Sequence, residues 1–474
     1  MAVVGTGLAT WAWLGLSWAT VSGRPGPLVL SLFGWRGRAA LAVGAAAVAW
    51  VLVYALGEAQ ERARLVVPRA AAAPDSRWAA LGPAEAPLDV HYKSVEPPEG
   101  TGAAVAVAFL HGFGASLFDW TRDVQGGAAG CVLIRTARLL AGRGGREEEE
   151  EEEVGGPLPV EASSSAAPVP ALLMAYDAPG FGLTQRTRDL RDYAVSRNGA
   201  LALELLEFGL RTTGTTVAEV QGPRPKRVLV GHSLGALAAA QALYDAETGG
   251  REGAHTVDGL VLVSPAILSG AFSHRRRHVP RVARIAGAVA GGIALSAVSL
   301  TLWVLAPAGR AVLRALVRSK QFWRQGLAAA FASPASVTNA VVDGYRAAKV
   351  VRGWDTGMWR FVRSRVTPLG PVGTVRAAIR DLDRPRLMDV LLSAHTRVPI
   401  LLVHGTEDAI IPVSNSRAIA AAAAEARANL EFVEVPGTGH NLYLEKPAEF
   451  SALLADWIHR CIVNEDDAGA IDDP

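Results

Sequence analysis

The segment Gly231-His232-Ser233-Leu234-Gly235 puts a hydroxyl nucleophile between glycines two residues before and two after it. A serine held on a sharp strand-to-helix turn needs small residues at those places, because the backbone there is strained and closely packed. The apolar run Val228-Leu229-Val230 leads into the segment, and a stretch rich in Ala and Leu follows to Tyr244. Strand, turn and helix are therefore predicted, which is the setting such a serine requires. A serine hydroxyl also needs a base, and His440 in Gly437-Thr438-Gly439-His440-Asn441 follows the strand-like run Glu431–Val435. An imidazole in that role needs a carboxylate to orient it and to stabilise its protonated form. Asp408, in His404-Gly405-Thr406-Glu407-Asp408, lies just past the apolar run Pro399–Val403; Glu407 is the near alternative. Nucleophile, acid and base thus occur in the order Ser, Asp, His, each at the end of a predicted strand. Their chemistry is two-step acyl transfer through a covalent serine intermediate.

Such a reaction also needs donors for the developing oxyanion, usually two backbone N–H groups. One comes from the residue after the nucleophile, Leu234. The other is expected from His111-Gly112-Phe113-Gly114, after the apolar run Val105–Leu110. Phe113 is the expected donor, and Gly112 allows the close backbone approach that a Cβ would hinder.

Taken together, His111-Gly-Phe-Gly, Asp177-Ala-Pro-Gly-Phe-Gly182, Gly231-His-Ser-Leu-Gly235, His404-Gly-Thr-Glu-Asp408 and Gly439-His440 resemble the α/β-hydrolase superfamily, over roughly Leu88 to Val463. The resemblance implies an α/β fold with a mostly parallel eight-stranded sheet flanked by helices, an α-helical cap inserted after the sixth strand, and no metal or organic cofactor. It implies structural roles for Asp177 and Gly180. Aspartate in the nucleophile position would point to epoxide or haloalkane hydrolysis; Ser233 points to esters, thioesters, amides or lipids. Two other readings share the same motifs: a ligand-binding receptor with little turnover, and a carbon–carbon bond hydrolase or acyltransferase.

The elements that must position these residues follow from the alternation of apolar runs and helical stretches, which argues a parallel sheet covered on both faces. Residues 88–266 and 398–463 are expected to form the core, 267–397 the cap, 66–87 an Ala/Pro-rich linker, and 464–474 an acidic tail. Residues 142–169, with seven consecutive glutamates from Glu147 to Glu153, are read as a disordered surface insertion, because like charges in a block repel. Cys131 and Cys461 make neither a disulfide framework nor a metal-ligand spacing. A formal net charge of +2 over 474 residues gives no bulk reason for nucleic-acid binding.

Half the residues are hydrophobic and mean hydropathy is +0.22, which raises membrane contact. Residues 1–65 contain two uncharged runs, Met1–Ser22 and Ala39–Leu56. Each is near the length of about 20 apolar residues that a spanning helix needs. A membrane anchor of one or two helices is expected there, with a cleaved targeting segment as the alternative. In the cap, Arg284 and Arg310 bracket the uncharged stretch Ile285–Gly309. A buried cap helix, a helix docked on a bilayer between basic flanks and a true span all fit that pattern. Trp303, Trp323, Trp354 and Trp359 are candidate interfacial anchors. The expected partners are a small-molecule ester or lipid substrate and a membrane, either endomembrane or chloroplast.

Overall fold

The computed structural model describes residues 67–122, 130–142, 167–214, 223–249, 256–267, 281–347, 349, 351–367, 369–380, 387–393 and 397–464, with 59 and 65. Residues 1–65 separate from 66–474 as their own unit, and the expected anchor lies outside the described residues. So do the glutamate run, the arginines Arg275, Arg276 and Arg277, and the tail from 465.

Eight strands form one sheet: β1 (Arg77–Leu81), β2 (Leu88–Val95), β3 (Val105–Leu110), β4 (Ala171–Tyr176), β5 (Lys226–His232), β6 (Gly259–Val263), β7 (Ile400–Gly405) and β8 (Leu430–Val435). Their order is β1-β2-β4-β3-β5-β6-β7-β8. β2 runs antiparallel to both β1 and β4, and every other pair is parallel. Every residue of β3, β4, β6 and β7 is buried. Strands covered on both faces must be apolar throughout rather than alternating, which is why they read as continuous apolar runs.

The expected linker at 66–87 is not one. β1 lies inside it and pairs with β2 in the register Arg77↔Tyr92 to Leu81↔Leu88. Ala79 and Leu81 are buried there while Ala80 is exposed. The strand is short, with alanine on both faces at Ala79 and Ala80, so its period-2 signal is weak. The prolines Pro83 and Pro87 belong to the hairpin turn, where Gly82 adopts φ 102°.

Helices α1 (Phe118–Thr121), α2 (Val132–Leu140), α3 (Val195–Thr212) and α4 (Leu234–Thr248) lie between strands. After β6 come α5 (Arg281–Val304), α6 (Ala306–Arg318), α7 (Lys320–Ala328), α8 (Asn339–Ala347), α9 (Trp354–Ser364), α10 (Gly370–Arg380) and α11 (Leu387–Leu391). The chain ends its described part with α12 (Ser414–Ala426), α13 (Leu442–Glu445) and α14 (Pro447–Ile458). Alternate residues of β3 feed two cores. Val105, Val107 and Phe109 pack with α2 and α14; Ala106, Ala108 and Leu110 pack with α3 and α4. That division is the pleat of a two-sided sheet.

The inserted region from α5 to α11 is helical and rooted in the core. Leu327, Phe331, Val342 and Tyr345 join the α14 side, and Met388 and Leu391 of α11 join the α4 side. Within it, buried Asp355 of α9 accepts from Arg310 Nε and Arg314 Nε of α6, each at 2.8 Å. The ring of Trp359 occupies the space a Cβ on Gly309 would need, and its Nε1 donates to the Leu302 carbonyl at 3.1 Å. In the bilayer-docked reading the arginines after the uncharged stretch would face head groups; Arg310 and Arg314 instead point inward to Asp355. Of the four tryptophans, Trp354 is buried and Trp323 and Trp359 are half-buried, while Trp303 is 60% exposed. Among the described residues α5 is little buried: only Gly292 and Ser299 along it are.

Candidate active site

The predicted site residues gather at the C-terminal edge of the parallel strands, where open α/β sheets place their ligands. Ser233 follows β5 directly and precedes α4, with φ 52° and ψ −112°. A non-glycine residue at positive φ is strained and persists only where its surroundings fix it. Its N–H donates to the Val263 carbonyl at 2.9 Å and its carbonyl accepts from Ala266 N–H at 3.0 Å, so the end of β6 and the segment after it hold both sides. The flanking glycines are required by close approach. A Cβ on Gly231 would lie 2.5 Å from the Gly235 carbonyl oxygen, and one on Gly235 would collide with the Leu110 carbonyl.

Asp408 and His440, the expected acid and base, follow β7 and β8. His440 Nδ1 lies 2.7 Å from Asp408 Oδ2, with both side chains buried. The other carboxylate oxygen accepts from the N–H groups of Ile410 and Ile411 at 2.8 and 2.9 Å. Burial alone would raise the Asp408 pKa. Hydrogen bonds from His404 and His440, the His440 charge and the Ile411 N–H outweigh it and hold the carboxyl well below the usual range. Glu407, the sequence alternative, sits outside this pair: its N–H donates to the Thr438 carbonyl at 2.9 Å, while the imidazole takes Asp408. The helix dipole and first amides of α4 point at the space beyond Ser233, and Leu234 N–H has no intrahelical acceptor.

Gly112 lies against the elbow: a Cβ there would be 3.2 Å from Ser233 Cβ and 2.9 Å from His232 Nδ1. Phe113 is 57% exposed, with its ring against Phe181 and Phe361 at centroid distances of 5.8 Å. His111 braces this loop. Its Nδ1 lies 2.8 Å from the Gly112 carbonyl and its Nε2 accepts from Ala178 N–H at 3.0 Å. Burial lowers its pKa, so the neutral ring carries its proton on Nδ1. Asp177, expected to be structural, accepts from the N–H groups of Leu117 and Leu183 at 2.8 and 2.6 Å and lies 2.7 Å from His91 Nδ1. Burial would raise its pKa, but the His91 contact, nearby histidine charge and the Leu117 N–H bring it down to about 2.

Several side chains here were not assigned from sequence. His404 Nε2 lies 3.0 Å from Asp408 Oδ2 and 2.8 Å from the Ile411 carbonyl, and its Nδ1 lies 2.7 Å from Ser416 Oγ. Lys349, from the cap, is buried and donates to the Gly114 carbonyl at 3.1 Å; burial and the Arg186 charge lower its pKa to about 8. Glu445 accepts from Gly439 N–H at 2.7 Å and from Ala332 N–H of the cap at 2.9 Å. His404 was legible as a motif member, but Lys349 and Glu445 carry no signal because they bind backbone groups, Gly114 and Ala332 among them, that lie far away in the chain. Among the described residues no cluster of His, Cys, Asp and Glu could hold a metal ion.

No curated protein shows significant similarity to the chain. Solved structures that resemble it include a thermophilic esterase from Thermogutta terrifontis, with 15% identity, a TM-score of 0.41, and coverage of 81% of this chain and 98% of that one. The 2-hydroxy-6-oxo-6-phenylhexa-2,4-dienoate hydrolase from Rhodococcus sp. strain RHA1 has 15% identity and a TM-score of 0.42, with 78% and 94% covered. An epoxide hydrolase, CorEH, has 13% identity and a TM-score of 0.43, with 81% and 98% covered. Likeness at this level bears on neither substrate nor mechanism. The sequence model of the alpha/beta hydrolase family matches residues 107–453. With the eight-stranded sheet and its helices, that match makes the chain a hydrolase that belongs to the α/β-hydrolase family.

Proposed function

We propose that the protein is a membrane-associated serine esterase acting on a carboxylic ester with an apolar or lipid-like acyl group. The observation that carries the catalytic part is Ser233 at positive φ on the β5–α4 turn, with the His440–Asp408 pair on the loops after β8 and β7 and the His440 ring 4.7 Å from that of His232, the residue before Ser233. Ser233 Oγ attacks the ester carbonyl carbon while its proton passes to His440 Nε2. Asp408 holds the other ring nitrogen and stabilises the imidazolium. The N–H groups of Leu234 and Phe113 receive the oxyanion. The carbonyl–alkoxy bond then breaks, and His440 gives its proton to the leaving alcohol. Water attacks the acyl-enzyme, His440 takes a proton from it, and that proton returns to Ser233 as the acid departs.

The substrate class and the membrane rest on α5. Its 24 residues form the one described helix long and apolar enough to cross a bilayer, with mean hydropathy 1.9 and 11% of that window buried. Ile293, Val298, Leu300, Trp303 and Val304 are exposed along it, and no acidic residue occurs from 281 to 342. An apolar face in a basic, acid-free setting suits an anionic bilayer surface. The test is hydrolysis of p-nitrophenyl esters from C2 to C16, together with cosedimentation on phosphatidylserine and phosphatidylcholine vesicles. Turnover that rises with chain length and preference for the anionic vesicles support the reading. Short-chain preference with no vesicle binding removes the lipid part.

A further inference from the structure

Between the nucleophile elbow and the base loop runs a chain of buried side chains that the mechanism above does not use. Asp119 Oδ2 lies 2.8 Å from Tyr443 Oη. Tyr443 Oη lies 3.2 Å from His232 Nδ1. His232 Nε2 lies 3.0 Å from the backbone carbonyl oxygen of His440. Asp119, His232, Tyr443 and His440 are all buried, and Trp120 stacks on the Tyr443 ring at 4.2 Å, so water does not stand in for a missing partner.

Counting protons decides how the chain works. The His440 carbonyl can only accept, so the bond to it requires a proton on His232 Nε2. Burial, reinforced by the charge of His440, lowers the His232 pKa well below that of a free imidazole. The ring is therefore neutral, and with its one proton on Nε2, Nδ1 is an acceptor. Tyr443 has a single proton and two claimants, His232 Nδ1 and Asp119. All three bonds form together only when Asp119 is protonated and donates to Tyr443, which then donates to His232. When Asp119 is ionised, Tyr443 donates to the carboxylate instead. His232 Nδ1 then faces an oxygen with no proton between them, or the ring changes tautomer and Nε2 stops donating to His440.

We propose that Asp119, Tyr443 and His232 are positioning residues that tether the His440 loop to the nucleophile elbow, and that the tether is complete only while Asp119 carries a proton. The inference rests on the proposed role of His440 as the base. The surroundings of Asp119 favour its neutral form. Burial pushes its pKa up to about 7, and Asp177 adds to this, while the hydroxyls of Tyr443 and Tyr345 and the charge of Lys349 oppose it. Tyr345, facing the carboxyl from α8, can donate to either form and leaves the count at Tyr443 unchanged. Below about pH 7 the tether is whole; above it, one of its links, Tyr443 to His232 or His232 to the His440 carbonyl, is broken.

The rate of fluorophosphonate labelling of the full-length protein, measured from pH 6 to 9, tests this without a known substrate. Wild type is expected to label and to slow above pH 7. Tyr443→Phe, which removes only a hydroxyl, is expected to label about 10-fold more slowly at pH 6.5, because a small displacement of a catalytic group is costly. Asp119→Asn supplies a permanent N–H donor to Tyr443, and it should keep most of the wild-type rate while losing the decline above pH 7. Labelling of Tyr443→Phe at the wild-type rate, or an unchanged decline in Asp119→Asn, overturns the tether while leaving the catalytic assignment standing. Failure of wild type to label overturns that assignment and the tether with it.

Discussion

Around Ser233 the chain packs backbone against backbone, whereas along α5 large apolar side chains stand out in solvent. At the elbow, Gly231 abuts the carbonyl of Gly235, Gly235 abuts that of Leu110, and Gly112 abuts Ser233 itself. Nothing larger than hydrogen fits at these contacts, so the sequence must carry glycine there. On α5 the positions of Gly287 and Gly291 have no neighbour within 4 Å, and Trp303 and Leu300 are exposed. The contrast shows two kinds of constraint. The elbow is set by steric exclusion inside the molecule. The outer face of α5 is constrained by nothing in the described residues, so its apolar composition calls for a reason outside them.

Substitutions can break that contrast or sharpen it. The largest effect is expected from Asp408→Asn, which keeps the shape but removes the charge that orients His440; ester turnover should fall by about 10⁴-fold, read as kcat of the folded variant, with the melting temperature also lowered because the ionised carboxyl stabilises the fold. Gly235→Ala drives a methyl into the Leu110 carbonyl and should cost about 3 kcal/mol or more, seen as a lower urea midpoint together with lost activity. An alanine accepted there without loss would show that the elbow is looser than its contacts indicate. Asp355→Ala leaves Arg310 and Arg314 without their shared carboxylate. A loss of about 3 kcal/mol is expected, and limited proteolysis should cut between α5 and α9 before the sheet core.

Acid should act on the loop beneath the site. The Asp177 pKa in the fold, about 2, lies below the ordinary value of 3.8. A depressed carboxyl gives stability that is present above the ordinary value and lost as pH falls through the folded one. Between pH 4 and pH 2 the protein should therefore lose about 2 kcal/mol from this group, and Asp177→Asn should flatten that part of the pH–stability curve. The smallest effect on folding is expected from Trp303→Ser, within about 0.5 kcal/mol of wild type. The same change should weaken binding to phosphatidylserine vesicles several-fold, and equal binding would remove α5 from the membrane reading.

What was legible in the sequence follows the same division. β3, β4, β6 and β7 are buried on both faces, so their composition announces them as apolar runs, as at Val105–Leu110 for β3. The elbow was legible because steric exclusion leaves glycine as a mark. β1 was missed because a short strand with alanine on both faces, Ala79 inward and Ala80 outward, has little contrast between them. In the cap, Asp355 with Arg310 and Arg314, and Trp359 with Gly309, are contacts between residues far apart in the chain. No local period encodes them, so Arg310 and Arg314 read as surface charge and Trp359 as an anchor. His232 was visible only as a variable position inside the elbow motif; its links to Tyr443 and to the His440 carbonyl exist only once β5 and α13 are brought together.

The central claim is that Ser233 is an activated nucleophile. The direct measurement is fluorophosphonate labelling of the full-length protein at pH 7, with the adduct located by peptide mass spectrometry and Ser233→Ala run in parallel. The account predicts one adduct, on the peptide containing Ser233, and none in the variant. A folded wild-type protein that takes up no label, or an adduct that persists in Ser233→Ala, would contradict it.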